Sequence, residues 1–143
     1  MSDLLRIQAG PYTYTARLER AASPRTVELF ETMLPFKSKI IHVRWSGEAT
    51  WIPMGDMNLP IPFEDPTAYP EPGMILLYPG GVSETEILFP YGRCAFASKA
   101  GLLPANHLMT IIEGREQMRE MGVKILWEGA LDIEITRAQD TRG

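Results

Sequence analysis

The sequence predicts a mainly β fold, a closed antiparallel barrel of about eight strands with two short helices covering its open ends. Three observations favour it. Short segments of alternating apolar and polar residues recur along the chain, glycine or proline bounds most of them, and only two segments have apolar residues at helical spacing. A closed barrel leaves no exposed strand edges, which so many short strands would otherwise present. The 143 residues are expected to form a single domain, residues 1–143.

The chain begins with a predicted β-hairpin. Apolar residues alternate with polar ones over 5–9 and again over 12–18, and Gly10-Pro11 separates the two runs. Each run therefore predicts a strand with one buried face, and the glycine and proline between them predict a turn.

A helix is predicted to follow over residues 24–34. The Ser23 hydroxyl is expected to cap its free N–H groups, and Pro24 suits the first helical position. Pro35 is expected to end the helix. Its apolar stripe, which must be buried, consists of Val27, Phe30, Met33 and Leu34.

The middle of the chain predicts short strands around a long loop. The predicted strands cover residues 36–45, 49–52, 74–78 and 86–89. In the first of these, Ile41, Val43 and Trp45 would share one face, and Ile40, His42 and Arg44 the other. Because proline lacks the N–H that strands need, the proline-rich segment Pro53–Pro72 is predicted to be a loop.

The last third of the chain is predicted to be a strand, a turn, a helix and a final strand. The strand covers Leu108–Ile112, and Glu113-Gly114 forms the turn. A helix near 114–121 would carry Met118 and Met121 on one side. The final strand is expected over Val123–Thr136 with a bend at Gly129, and the polar residues 138–143 are expected to form a frayed tail.

Composition restricts the partners. The net charge is −4 with both signs interspersed, so neither nucleic acid nor a membrane surface is expected as a partner. No apolar run approaches the length of a membrane span, and the first residues lack a signal-peptide pattern. The single cysteine, Cys94, excludes an internal disulfide and a multi-cysteine metal site. We expect a cytoplasmic protein without a cofactor.

The order of these elements resembles that of cyclophilins. In that family the first helix likewise opens with Pro-x-Thr, as in Pro24-Arg-Thr26, and a histidine precedes a strand that ends in Glu-Gly, as in His107 to Gly114. The chain is more closely similar to a bacterial cyclophilin-like family of uncharacterised function. The segments that carry this resemblance are Leu34-Pro35-Phe36, Trp45-Ser-Gly-Glu48, Pro72-Gly73, Tyr78-Pro79, Tyr91-Gly92, Asn106 and Glu113-Gly114.

The residues with which cyclophilins hold a prolyl peptide are mostly missing. There is no Gln-Gly-Gly-Asp segment, Leu102 stands where the resemblance implies a tryptophan, and only His107 falls on a pocket position. We therefore expect no prolyl isomerase activity. The resemblance implies a groove next to His107 and the strand Glu86–Phe89.

Five polar residues are predicted to bind a ligand in that groove. They are Arg44, Glu48, Tyr91, Asn106 and His107. The Arg44 guanidinium suits a carboxylate or carbonyl, and Glu48 and His107 are the candidates for catalysis, Glu48 as a general base if burial raises its pKa. Trp45 and Trp51 would supply apolar walls. The alternatives are an Arg44–Glu48 surface ion pair and a structural role for His107.

Two other reactive groups have simpler interpretations. Cys94 is either a nucleophile beside His107 or a small core residue. A transition-metal site would require His42 and His107 to meet beside a carboxylate, and no spacing in the sequence indicates that, so no metal is expected.

Three classes of function remain open from the sequence. The first is binding of a small polar molecule that carries a carbonyl or carboxylate, with or without turnover. The second is a degenerate peptide-binding cyclophilin module, and the third is an oligomeric accessory subunit of an enzyme. A homodimer or higher homo-oligomer is expected because the proline-rich loop is apolar, through Met54, Met57, Leu59, Ile61, Phe63 and Tyr69.

Overall fold

The computed structural model describes residues 3–138, in which there are ten strands, two α-helices and one 3₁₀ turn. The strands are β1 (Leu4–Ala9), β2 (Tyr12–Leu18), β3 (Phe36–His42), β4 (Gly47–Pro53), β5 (Met74–Tyr78), β6 (Glu86–Cys94), β7 (Ala97–Ser98), β8 (Gly101–Leu102), β9 (Asn106–Glu113) and β10 (Leu131–Arg137). The helices are α1 (Pro24–Glu31) and α2 (Met118–Glu128), and the 3₁₀ turn is Arg115–Gln117. Neither helix is long and apolar enough to cross a bilayer.

Eight of the strands close into a barrel in the order β1-β10-β3-β4-β6-β5-β9-β2. Every neighbouring pair is antiparallel, and β10 closes the circle by pairing with β1, where Ile7 lies opposite Ile135. The predicted fold class, a closed antiparallel barrel with two helices, is confirmed. The short strands β7 and β8 pair only with each other and lie outside the barrel.

Strands β5 and β6 are buried on both faces. Ile75 and Leu77 of β5 belong to the main core, whereas Leu76 between them belongs to a second buried cluster. Successive side chains of a strand point to opposite faces, so the main core fills the barrel and the second cluster lies outside it. Phe96 and Leu103, from the segment that contains β7 and β8, are buried in that outer cluster. This segment therefore covers the outer face of the barrel.

Helix α1 forms where the sequence predicts it but ends earlier. Val27 and Phe30 are fully buried in the main core. The helix ends at Glu31, and Met33 and Leu34 then pack against the core, partly buried, from the turn that follows.

The expected cap of α1 is wrong. The Ser23 hydroxyl is buried and has no hydrogen-bond partner within residues 3–138. Instead, the Glu64 carboxylate of the proline-rich loop accepts hydrogen bonds from the backbone N–H groups of Arg25, at 3.1 Å, and Thr26, at 2.8 Å. A carboxylate interacts more favourably than a hydroxyl with the positive end of the helix dipole.

The last predicted strand was too long. Residues 118–128 form α2, and only 131–137 form a strand. Gly122 lies inside the helix, at the point where the helix packs against the barrel. Only glycine fits there, because a Cβ atom would come within 2.3 Å of a Tyr91 ring carbon. Gly129, at φ +99°, ends the helix and does not bend a strand. The buried face of α2 consists of Met118, Met121, Gly122 and Ile125.

Two further expectations concern segment ends. The strand that begins at Phe36 stops at His42, so Val43, Arg44 and Trp45 belong to the turn before β4. Of the tail expected at 138–143, residues 139–143 lie outside the described residues.

The proline-rich loop is fixed to the barrel by the Asn106 side chain, which is fully buried. Its carboxamide oxygen accepts a hydrogen bond from the Glu64 N–H at 2.7 Å. Its amide nitrogen donates to the Pro62 carbonyl and to the Thr26 hydroxyl, both at 2.9 Å. One side chain therefore joins the loop, α1 and β9. Met54, Leu59 and Ile61 pack against the main core, and the exposed apolar residues of the loop are Met57, Phe63 and Tyr69.

Replacing this side chain tests its structural role. We expect Asn106→Ala to lower the free energy of unfolding by about 2–3 kcal/mol, because it removes three hydrogen bonds and leaves buried partners unpaired. Urea denaturation followed by circular dichroism measures the change. The control is Gln117→Ala, which removes one amide bond to the Thr13 carbonyl at the surface and should cost under about 1 kcal/mol. Equal losses in the two variants would show that Asn106 does not join these elements.

Candidate functional site

The five residues predicted to bind a ligand do not converge on one place. Arg44 lines a cavity on the outer surface of the barrel. Glu48 lines a separate shallow depression together with Arg93 and Arg119. Tyr91, Asn106 and His107 line neither of these spaces. The expectation of one shared groove is therefore wrong.

Glu48 is held as a paired carboxylate. It accepts hydrogen bonds from the Arg119 guanidinium at 3.0 Å and from the Arg93 N–H at 2.8 Å. The Arg119 side chain and the Arg93 N–H lower the pKa of Glu48. A general base needs a pKa raised toward neutrality. The ion pair therefore opposes the role expected for Glu48 from the sequence.

The His107 ring is held by a hydrogen bond, and burial opposes the reactivity of Cys94. The Thr110 hydroxyl lies 2.8 Å from His107 Nε2 and donates its hydrogen to Glu19, so the His107 ring donates to Thr110. Burial lowers the pKa of His107. Burial also raises the pKa of the Cys94 thiol to about 12, so the thiolate is disfavoured.

The cavity that Arg44 lines has a volume of about 390 Å³, which is in the range of small-molecule sites. It lies over the outer face of β4, between the turn before that strand and the first residues of β6. We call it the tryptophan cavity. Its lining residues are Ile41, His42, Val43, Arg44, Trp45, Ser46, Trp51, Ser83, Glu84, Glu86, Ala97, Ser98 and Lys99.

Two tryptophans form its apolar surface. Trp51 is partly buried and packs against the outer cluster, whereas Trp45 is 53% exposed. The Arg44 guanidinium carbon lies 5.3 Å from the centre of the Trp45 ring, a cation–π distance. Arg44 is itself exposed and is free of ion pairs within residues 3–138. Its charge is therefore open to a ligand.

Glu86 is the unusual group in the tryptophan cavity. Only 7% of it is exposed, and within residues 3–138 no donor or cation binds its carboxyl group. Burial, and secondarily the negative charge of Glu84, raise the pKa of Glu86 to about 8. At neutral pH this side chain is therefore mostly a neutral acid. Carboxyl groups with such raised pKa values are concentrated at functional sites.

His42 connects the cavity to the main core. Its Nδ1 lies 2.9 Å from the Val43 carbonyl, and its Nε2 lies 2.7 Å from the Tyr91 hydroxyl. Because a carbonyl only accepts, Nδ1 carries a hydrogen, and in the neutral ring Nε2 accepts the Tyr91 O–H. Arg119 lies over the Tyr91 ring at 5.4 Å and pairs with Glu48. These contacts fix the orientation of His42 at the cavity wall.

A further depression has no comparable group. It has a volume of about 450 Å³ and lies on β1, β3 and β10. Its charged residues pair at the surface, Lys37 with Glu134 and Asp132 with Lys39. No group of three or more His, Cys, Asp or Glu side chains within residues 3–138 is placed to hold a metal ion.

The sequence indicated part of this site. Trp45, Trp51 and Arg44 were among the predicted groups, but Glu86 was placed only on a strand beside the groove. A glutamate at the start of a strand is ordinarily exposed. Ala97 and Ser98, about ten residues further along the chain, complete the wall of the cavity that Glu86 lines. The one available signal was a charged residue directly before the apolar run Ile87–Phe89.

The pH dependence of stability tests the state of Glu86. Between its ordinary pKa of about 4.3 and its raised value of about 8, the folded protein holds a proton that the unfolded chain has lost. Stability due to this group therefore falls as pH rises through that interval. Glu86→Gln, which cannot ionise, should gain stability over the wild type by up to about 1.4 kcal/mol per pH unit there.

Urea denaturation at intervals from pH 4 to pH 9 measures this difference, with the exposed Glu28→Gln as control. The control should keep a constant difference from the wild type. A constant difference for Glu86→Gln as well would show that Glu86 ionises normally.

The barrel resembles two solved structures. One is McbB in complex with tryptophan, at a TM-score of 0.75 and 20% identity over 97% of this chain and 46% of McbB, so the chain spans about half of McbB. The other is the solution structure of the hypothetical protein AF2241 from Archaeoglobus fulgidus, at a TM-score of 0.61 and 18% identity over 96% and 95% of the two chains. At these identities the likeness concerns the fold alone.

No curated protein matches the chain. The profile of the family described as "Protein of unknown function (DUF3830)" matches residues 5–137, and the chain belongs to this family.

Proposed function

We propose that this protein binds a small polar molecule that carries a carboxylate or carbonyl in the tryptophan cavity. The observation that carries the proposal is the convergence of an unpaired guanidinium, two tryptophan rings and a buried acid on one cavity of about 390 Å³. Cavities with apolar walls and a few polar groups are the usual form of small-molecule sites.

Arg44 is the proposed anchor for the carboxylate. Its planar guanidinium can donate two parallel hydrogen bonds to a carboxylate, and such charge-assisted bonds are stronger than neutral ones. Trp45 and Trp51 offer flat apolar surfaces to the rest of the ligand. The neutral Glu86 acid lies in the same cavity and can donate or accept a hydrogen bond there.

The structural neighbour McbB, whose structure contains tryptophan, supports a small-molecule ligand of this kind. Tryptophan has a carboxylate and an aromatic body. The support is limited to the class of ligand, because this chain corresponds to 46% of McbB.

Other expectations from the sequence stay predictions. They include the relation to bacterial cyclophilin-like proteins, a cytoplasmic location and catalytic turnover. Self-association also stays a prediction. It would cover Met57, Phe63 and Tyr69, which remain exposed on the proline-rich loop.

Titration calorimetry of the wild type and two variants with tryptophan and 4-methylbenzoate tests the proposal. We expect both compounds to bind the wild type, and Arg44→Ala to bind each at least about tenfold more weakly, since a charge-assisted bond is lost. The melting temperature should change little because Arg44 is exposed. The control is Arg6→Ala, which removes an exposed arginine of β1 and should bind like the wild type. Absence of saturable binding, or equal binding by Arg44→Ala, would refute the proposal.

A further inference from the structure

A ligand that carries only a carboxylate would pair with Arg44 but would leave the Glu86 carboxyl group of the tryptophan cavity without a partner. The side chain is more than nine-tenths buried, lines the cavity and has no partner within residues 3–138. Buried carboxyl groups are ordinarily hydrogen-bonded or paired with a cation. The Glu86 oxygens are accessible from the cavity, so a ligand held there can supply the partner that the protein does not.

The strand register separates the charges of the cavity into two ends. The N–H of Val43 bonds to the Ala49 carbonyl, which places Arg44 near the first residues of β4. Glu86 lies opposite Pro53, the last residue of β4. Ala49 and Pro53 are four residue steps apart along the strand, which corresponds to roughly 13 Å. The side chains of Arg44 and Glu86 shorten the distance between their charged groups.

Trp51 lies between the two ends, because side chains at alternate positions of β4 share a face. Glu84 lines the cavity beside Glu86 and adds negative charge at the same end. Along β4 the cavity thus has Arg44 at one end, Trp51 in the middle and the Glu86 carboxyl group at the other end. Lys99, from the segment that covers the barrel, also lines the cavity, and its charge does not lower the pKa of Glu86.

We propose, on the basis of the function proposed above, that the ligand carries a primary amine at the end opposite its carboxylate, and that Glu86 binds this amine as an ion pair. An ammonium group offers hydrogen-bond donors as well as a positive charge to a carboxylate. The neighbouring tryptophan rings attract cations through their faces. A ligand with a carbonyl in place of the amine would leave the acidic end without a counter-charge.

Binding of the amine releases a proton. In the free protein at pH 7 Glu86 is mostly protonated, and the amine in solution is an ammonium ion. Forming the ion pair breaks the O–H bond of the Glu86 acid, and its proton passes to the solvent. Because a pKa of about 8 lies one unit above pH 7, this ionisation lowers affinity about tenfold at pH 7. Affinity for the amine should therefore rise about tenfold as pH increases from 7 toward 9.

Two matched compounds test the proposal by calorimetry at pH 7, in phosphate and in Tris. 4-(Aminomethyl)benzoate has an amine opposite its carboxylate, and 4-methylbenzoate lacks the amine. We expect the amine compound to bind at least about tenfold more tightly and to release close to one proton, measured as a difference in enthalpy between the buffers. 4-Methylbenzoate should release none. Phenylalanine, whose charges are adjacent, should bind more weakly than 4-(aminomethyl)benzoate.

Variants assign the proton to Glu86. Glu86→Gln should remove the proton release and the preference for the amine, whereas Glu28→Gln on α1 should keep both. Equal binding of the two compounds without proton release, together with dependence on Arg44, would overturn this inference and leave the proposed function standing. If neither compound binds in an Arg44-dependent way, the proposed function fails and this inference fails with it.

Discussion

The burial of β5 and β6 on both faces is the constraint on which the rest of the structure depends. Inward side chains such as Leu77 and Phe89 fill the barrel, and outward ones such as Leu76 and Leu88 form a second cluster. A barrel alone buries only its interior, so the outer cluster requires a cover. The segment with Phe96 and Leu103 provides it. The tryptophan cavity lies where this cover borders β3 and β4, and Glu86 lines the same cavity.

The elements that could be predicted from the sequence are those whose pattern is local. The hairpin of β1 and β2 and the strand β5 follow from apolar alternation or an apolar run bounded by glycine and proline, and the structure forms them with nearly the predicted bounds. The sequence pattern predicts a helix only to residue 121 and a strand from Val123, whereas α2 continues through Gly122 to Glu128. That glycine is required by contact with Tyr91, which is distant in the sequence. The helical spacing of Met118, Met121 and Ile125 was the available signal.

The candidate site was harder to predict because its groups come from distant segments. The sequence alone could place Arg44, Trp45 and Trp51 in one site, because they lie within eight positions of each other. Glu86 joins this group through the pairing of β6 with β4, and residues 97–99 line the same cavity from a third segment. Asn106 is a structural residue that the sequence predicts as a ligand-binding one, because it belongs to the motifs that carry the resemblance to cyclophilin-like proteins. The three hydrogen bonds of its side chain hold the proline-rich loop and α1 to β9.

Both proposals depend on Glu86 being an unpaired, buried acid at a cavity open to a ligand. The most direct test is the titration of the Glu86 carboxyl carbon by nuclear magnetic resonance in the ligand-free protein labelled with carbon-13, with the signal assigned by its loss in Glu86→Gln. We expect a midpoint near pH 8, well above that of exposed glutamates. A midpoint near 4 would show that water or an unrecognised partner stabilises the carboxylate, and would contradict the assignment of Glu86 as a buried neutral acid.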